Sequence, residues 1–336
     1  MAHRLMGLES EYAFTPFGPG QKPLDRLSLL QRLFHLAAAH LPNVAGGAET
    51  DLYLQNGARL YIDCGAHPEY STPECASPFE AVRHVLAGER ILLGLNERLT
   101  RCQSEIEEAM FTKCNVCYHS RVSTWGSHES YCHRADPRVL PRQMQSHLIS
   151  RIVYTGGGGF DSLSPGLRFT LSPRAHHVVQ EVSDQSTHAR GIFHTKNEML
   201  NRHGYNRLHI LLGENLCSQR AAVLKAGTTC LIVALAEHGI DLASGVQLRA
   251  PLEALRTIAE DDTCSAEVEG ANRRPLTAVS IQRHYLARAR KHAGKEWMPS
   301  WAGRICDLWE ETLDRIESGA PESVACMLDW AIKRAL

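Results

Sequence analysis

Neither sign of charge prevails in this sequence: 36 basic residues stand against 37 acidic ones, and the formal net charge is -1. Such a balance gives no overall field to draw in nucleic acid or an anionic membrane, so neither is expected as a partner. A bilayer-length hydrophobic stretch is missing too. The longest apolar run, "TTCLIVALA" between Lys225 and Glu237, falls far short of the roughly 20 residues that span a membrane. The opening "MAHRLMGLESEYAF" holds no apolar signal core, and the expectation is a soluble, cytoplasmic protein. No repeat or low-complexity tract stands out. What remains is ordinary globular composition, 43% hydrophobic and 22% charged over 336 residues, enough for one large domain or two smaller ones. Eleven cysteines, an odd number without an export signal, predict free buried thiols.

Local periodicity supplies the elements. "HRLMGLESEYAFTP" alternates like a strand, with Leu8, Ser10, Tyr12 and Phe14 on one face and Glu9, Glu11 and Ala13 on the other. "DRLSLLQRLFHLAAAHL" has helical spacing. "DLYLQNGARLYID" reads as a hairpin around Asn56-Gly57, because both turn residues tolerate positive φ. In "SPFEAVRHVLAGERILLGL", Ser77 is an N-cap, Pro78 a first helical residue and Glu80 the partner of a capping box. "YTGGGGFDSLSPG" reads as a flexible connector, and "LRFTLSPRAHHVVQEV" and "RLHILLGE" as strands. "SQRAAVLKAGTTCLIVALAEHGI" is expected to be a helix ending at Gly239, and "ESVACMLDWAIKRAL" a final helix; Trp301, Ile305, Leu308, Trp309 and Leu313 form a helical stripe. Strands early, helices late and no βαβ rhythm predict an α+β fold with a largely antiparallel sheet.

The densest chemistry lies in "ARLYIDCGAHPEYSTPE", residues 58–74. Alternation along a strand sets Arg59, Tyr61 and Asp63 on one side and Leu60, Ile62 and Cys64 on the other. Glu9 and Glu11 are likewise co-facial. A face with carboxylates on two strands is costly unless something uses it. Magnesium is the natural user, since it takes hard oxygen ligands, typically carboxylates together with nucleotide phosphates. Arg59 is suited to neutralising phosphate and Asp63 to acting as a base. The same alternation also describes a solvated sheet face with surface ion pairs.

The wording of these segments narrows the choice. "RLMGLESEYAFTP", "NGARLYIDCGAHPEYSTPEC" and "AGERIL" resemble the Pup ligase and depupylase family, and the resemblance continues in order through "GSHESY", "LSPRAHHV", "YNRLHILLGENLCS", "LKAGTTCLIV", "SIQRHYLARA", "DLWEETLDRIES" and "LDWAIKRAL". It implies a glutamine-synthetase-like α+β fold, in which an antiparallel sheet packed with helices cradles ATP and magnesium. One such catalytic domain is expected over residues 1–336, with the family's small C-terminal domain absent, because the sequence stops after "DWAIKRAL". The implied activity is that of a carboxylate–amine ligase, which phosphorylates the C-terminal glutamate of a small ubiquitin-like protein and lets a lysine displace the phosphate. The partners implied are a glutamate-bearing acyl donor, Pup-like or small, and an amine acceptor. By motif, Glu9, Tyr61 and Glu69 resemble magnesium ligands, joined by Glu11 on the evidence of its shared face. Arg59 and Thr72 match nucleotide-contacting positions, and Asp63 matches the catalytic aspartate. His128 and Glu129 match the family's His-Glu pair, and His128, Arg207 and His209 are further candidates for the nucleotide side.

Two features bear on the branch. The interval between "GLESEY" and "NGARLY" is short, as in the ligase, whereas the "PE" of "HPEYSTPE" is like the depupylase. The family's Asn-rich loop before its His-Glu pair is replaced by "KCNVCYHSRVSTWGSHESY". A deamidase- or depupylase-type hydrolase, a short homologue acting on a small amino-acid substrate, and a non-catalytic binding homologue are the rival readings. Intact Glu9, Tyr61, Asp63 and Glu69 speak against the last. Cys114 and Cys117, with His119, Cys132 and His133, raise the separate possibility of Zn²⁺ against free thiols. The Gly156–Gly159 run lacks the Lys-Ser/Thr ending of a phosphate loop and reads as a hinge.

Overall fold

Leu8, Leu60 and Tyr70 alternate with Glu9, Tyr61 and Glu69, and this two-residue period divides the protein into a packed side and a wet side. The computed structural model describes residues 4–185, 188–195, 204–319 and 321–336. Among them, nine strands form one sheet in the order Gln180–Ser183, Gly191–His194, Asn206–Ile210, Glu129–His133, Met6–Glu11, Pro68–Ser71, Arg59–Ile62, Asp51–Leu54, Asn43–Ala45. Neighbours are antiparallel except Gln180–Ser183 with Gly191–His194, which is parallel. Met6–Glu11 is the central strand, so the two glutamates it carries sit at the middle of the sheet.

The packed face is covered by the Pro78–Cys102 and Gln219–Glu237 helices. Ser77 caps the first by accepting from the Glu80 N–H at 3.1 Å. The Glu80 carboxylate reaches one residue further back than a capping box requires and accepts from Ala76 N–H at 2.8 Å. Gly88 lets this helix lie directly on the sheet: a Cβ there would stand 2.5 Å from the ring of fully buried Tyr70. The Gln219–Glu237 helix carries the "TTCLIVALA" run, and the chain turns away just after it at Gly239, where φ is +69°. Its flanking residues give it the length and mean hydropathy of a membrane span, longer than the apolar run by itself, and 78% of its most apolar window is buried inside this fold. Trp309, Ile305 and Leu313 join the same large core, while Leu30, Phe34, Leu60, Tyr70 and Leu99 form a second.

Several expectations need correction. The strand expected over "HRLMGLESEYAFTP" is two strands, Met6–Glu11 in the large sheet and Ala13–Gly18 in a three-stranded sheet with Lys22–Pro23 and Glu108–Thr112. "LRFTLSPRAHHVVQEV" is broken by a 3₁₀ turn, Pro173–His177, because proline supplies no backbone donor for a strand. The glycine run is no hinge. Gly156, Gly157 and Gly158 are buried, and a Cβ on Gly156 would lie 2.3 Å from the Leu171 carbonyl, one on Gly158 2.4 Å from Trp330 Cα. These glycines are needed for close packing. The final helix is interrupted between Pro321–Val324 and Asp329–Ala335.

Candidate active site

Register sets the polar face out as a lattice. Across three strands Glu11 pairs with Glu69 and Glu69 with Tyr61; one step along, Glu9 pairs with Ser71 and Ser71 with Arg59. Residues paired across antiparallel strands lie on one face with their Cβ atoms about 5 Å apart, so five of the sequence candidates are brought together by backbone geometry alone. The Asn206–Ile210 strand adds Arg207 and His209, and His128 stands just before its neighbour, Glu129–His133. Glu9, Glu11, Arg59, Tyr61, Asp63, Glu69, His128, Arg207 and His209 all line one cavity of about 610 Å³.

The carboxylates in this cavity are not equivalent. Glu9 meets Arg207 Nη2 at 3.1 Å and His128 Nδ1 at 3.5 Å, with His209 Nε2 at 4.0 Å. Burial opposes its charge, yet His128, His209 and Arg207 outweigh burial and hold its carboxyl far below the usual range. Glu11 accepts from Gly126 N–H at 2.9 Å and lies 3.5 Å from His67 and 3.6 Å from His128. It too is held down, by His67 and His128 against burial. Glu69 is the opposite case. Burial, reinforced by the charges of Glu9 and Glu11, pushes its carboxyl well up, and its Oε1 has no hydrogen-bond partner among the described residues. Burial and the charges of Glu69 and Glu9 likewise keep the Tyr61 phenol protonated.

Three overlapping groups have ligand atoms within 4.8 Å of one another: Glu9 with His128 and His209, Glu11 with Glu69 and His128, and Glu11 with Asp63 and His67. The carboxylate oxygens, the orphaned Glu69 oxygen and the neutral Tyr61 hydroxyl fit a hard divalent cation, which would remove the repulsion that adds to burial in raising Glu69.

Asp63 reaches the cavity by a different route from the one alternation implies. The strand ends at Ile62, and Asp63 opens a turn in which its Oδ1 accepts from His67 N–H at 2.7 Å while Oδ2 lies 3.5 Å from His67 Nδ1. Arg59 is held by Asp51, at 2.7 and 2.9 Å, and its guanidinium lies 4.2 Å above the Tyr61 ring. Thr72 is outside this cavity. Its hydroxyl accepts from Leu8 N–H and donates to the Pro73 carbonyl, and it lines an adjoining cavity of about 500 Å³ that shares Glu9, Arg59, Ser71 and Arg207 with the first. Alternation also separates the His-Glu pair: His128 faces the cavity, and Glu129 turns into the core against Arg151. The Cys/His residues weighed for zinc against free thiols do not gather. Cys132 and His133 lie on the central sheet near Arg4 and Glu237, Cys114 and Cys117 line a separate apolar groove, and no metal-sized group among the described residues contains any of them.

The sequence reading missed His67, Arg174, Arg190 and Asp51. His67 stands in the quoted "HPE", four residues after Asp63; although burial opposes it, Asp63 and Glu11 raise its pKa to about 9. Arg174 and Arg190 come from the 170–190 region, where no periodic pattern points at the cavity.

A sequence profile described as Pup-ligase protein matches residues 4–336. The chain belongs to the Pup ligase family. Among Pup ligase relatives, the Pup--protein ligase of Paenarthrobacter aurescens is 32% identical over 348 residues, covering all of this chain and 74% of that protein. That of Acidimicrobium ferrooxidans is 33% identical over 342 residues, covering 73% of its own length. The ligase PafA in its complex with the prokaryotic ubiquitin-like protein Pup superimposes with a TM-score of 0.80 at 27% identity, over 99% of this chain and 68% of that one. PafA in complex with ADP superimposes with a TM-score of 0.74, also at 27% identity, over 93% and 68%.

Proposed function

We propose that this Pup ligase family member uses ATP and magnesium to activate a glutamate carboxylate of a Pup-like donor as an acyl phosphate, which an amine such as lysine then displaces. Residues 1–336 are read as one catalytic unit, a glutamine-synthetase-like cradle. One observation carries the reading: Glu9, Glu11 and Glu69 converge on one cavity, with ligand atoms of Glu11, Glu69 and His128 within 4.8 Å of one another and Glu69 Oε1 without a partner among the described residues. A divalent cation would take up that oxygen, and the adjoining arginines suit the phosphates that accompany it.

Each residue then has a task. Glu9, Glu11, Glu69 and the neutral hydroxyl of Tyr61 would hold magnesium, which offsets charge on the transferring phosphoryl group. Arg59 and Arg207 stand where the two cavities meet and orient the nucleotide phosphates. Their partners Asp51 and Glu9 keep both guanidinium groups in place before substrate arrives. His128 and His209 steady Glu9. Asp63 takes a proton from the incoming ammonium, because lysine is protonated at neutral pH and attacks only as the free amine. Oδ1 accepts from the His67 N–H, and Oδ2, which faces His67 Nδ1 at 3.5 Å, is the oxygen that would take the proton.

The test is to incubate the protein with Mg-ATP, Pup or a glutamate-ended peptide, and a lysine donor, following ADP together with product mass. ADP formed in step with an amide product of the expected mass supports ligation. Cleavage of a preformed conjugate without stoichiometric ADP would establish the hydrolase reading instead.

A further inference from the structure

Two arginines of the cavity have no task in that scheme. Arg174 is 3% exposed; its Nη1 donates to Thr124 Oγ1 at 3.1 Å and its Nη2 to the Leu211 carbonyl at 3.2 Å, while its buried Nε has no partner among the described residues. Arg190 is half-buried and donates to the Val122 carbonyl at 3.3 Å. Both are therefore tied to the same short segment, residues 122–124, which forms one wall of the cavity. Gly126 makes room for this arrangement, since a Cβ there would stand 3.0 Å from both terminal nitrogens of Arg174.

Charge distinguishes this pair from the other arginines of the cavity. Arg59 is matched by Asp51 and Arg207 by Glu9, but among the described residues neither Arg174 nor Arg190 forms an ion pair. Two acids act on Arg174 from farther away. Glu11 is occupied by His67, His128 and Gly126. Glu214 accepts from the backbone N–H groups of Gly157 and Arg174, at 2.5 and 2.8 Å, and burial pushes its carboxyl up. Burial, followed by repulsion from Arg174, lowers Arg190 to about 10. The protein thus keeps two uncompensated guanidinium groups together at a cost, the pattern expected of a site waiting for an oxyanion.

Location narrows the choice of anion. The cavity that holds Thr72 shares Arg59 and Arg207 with the main one, but it excludes Arg174, Arg190, Asp63 and His67. The unpaired arginines therefore belong to the Asp63 end. A glutamate at a chain terminus carries two carboxylates, of which one is activated and the other stays anionic throughout.

We propose that Arg174 and Arg190 form an oxyanion subsite that receives the non-activated carboxylate of the acyl donor. This rests on the glutamate-donor reading above. It assigns recognition of the donor's end to residues outside the metal cluster, and it makes a free terminal carboxylate a condition of binding.

Calorimetry on the full chain, saturated with magnesium and a non-hydrolysable ATP analogue, tests this with two short peptides. One ends in glutamate with a free α-carboxylate, and the other is the same peptide with an α-amide. The wild type is expected to bind the acid about tenfold to a hundredfold more tightly than the amide, the range for one charge-assisted pair. R190Q should bring the acid down to the level of the amide and leave nucleotide affinity unchanged, and R190K should recover part of the difference. The amide comparison needs no variant, so it stands even if R190Q is unstable. An equal affinity of the wild type for both peptides overturns the inference and leaves the ligase reading intact. So does an R190Q that loses nucleotide but keeps the acid preference, which would assign the arginines to phosphate. If neither peptide binds while nucleotide does, the glutamate-donor reading fails and the subsite with it.

Discussion

Two polar clusters lie a few residues apart on the central strands, on opposite faces of the sheet. On the packed face, Glu129 meets Arg151 through both guanidinium nitrogens and accepts from the Tyr131 hydroxyl at 2.7 Å. Arg151 also reaches the Lys225 and Leu212 carbonyls and the Thr229 hydroxyl. Opposite charges match, and both side chains are almost fully buried. On the cavity face, Glu9, Glu11, Glu69 and Asp63 crowd together, and among the described residues an oxygen of Glu69 is left without a partner and two arginines lack carboxylates. The fold is therefore able to satisfy buried charge completely. Where it does not, the unsatisfied groups mark a place for something from outside.

The first way to break this comparison is to replace Asp63 with Asn, which keeps the shape of the turn and removes the basicity. Turnover should fall by roughly 10²–10⁴, the range for a positioned general base, with Mg-ATP affinity and melting temperature nearly unchanged. Single-turnover kinetics beside nucleotide titration separates the two, and a variant turning over at the wild-type rate would take Asp63 out of the mechanism.

On the other face the ordering should reverse. Glu129→Ala leaves Arg151 buried and unpaired, a change that typically costs about 3–5 kcal/mol. Urea denaturation should report the loss directly. A small effect would mean that Arg151 finds enough partners among carbonyls, and the contrast between the faces would weaken.

Glu69→Gln sharpens the contrast through pH. The folded state holds the Glu69 proton more tightly than the unfolded chain does. Stability from this group is thus greatest in acid and falls as pH rises past the ordinary glutamate pKa of about 4.3. Glutamine abolishes that loss. In EDTA the variant should gain on the wild type as pH increases from acid to neutral, while Mg-ATP binding is lost. Thermal melts across pH check the first part and calorimetry the second; parallel stability curves would show that Glu69 is not under strain.

Thr72→Val should have the smallest effect, about 1 kcal/mol of stability from the hydrogen bond to Leu8 N–H. Nucleotide affinity should change little if the hydroxyl is taken up by the backbone, as its present partners indicate. A large drop in affinity with unchanged stability would return Thr72 to the nucleotide site.

Much of this was legible in the sequence where the period was local. Arg59 and Tyr61 share a face because strand geometry requires it, and Glu9 and Glu11 follow the same rule. Periodicity failed where the chain leaves regular structure: Asp63 is aimed by a turn, and the glycines after Thr155 are packed where composition suggests a hinge. It could not reveal Arg174 and Arg190 at all, since their meeting depends on a wall contributed by residues 122–124. Nor could it tell Glu129 from Glu9, because one strand offers both faces and only the helix behind, with Arg151 before it in sequence, decides which side is dry.

Gly88 touches none of the chemistry, yet the strand bearing Glu69 rests its Tyr70 ring against it. A methyl group there would press on the Tyr70 ring from behind and disturb the strand that carries Glu69. Mutational drift should therefore be as restricted at this hidden helical position as at the acids themselves. A saturation library scored for activity should show an intolerant column at a residue that no substrate ever meets.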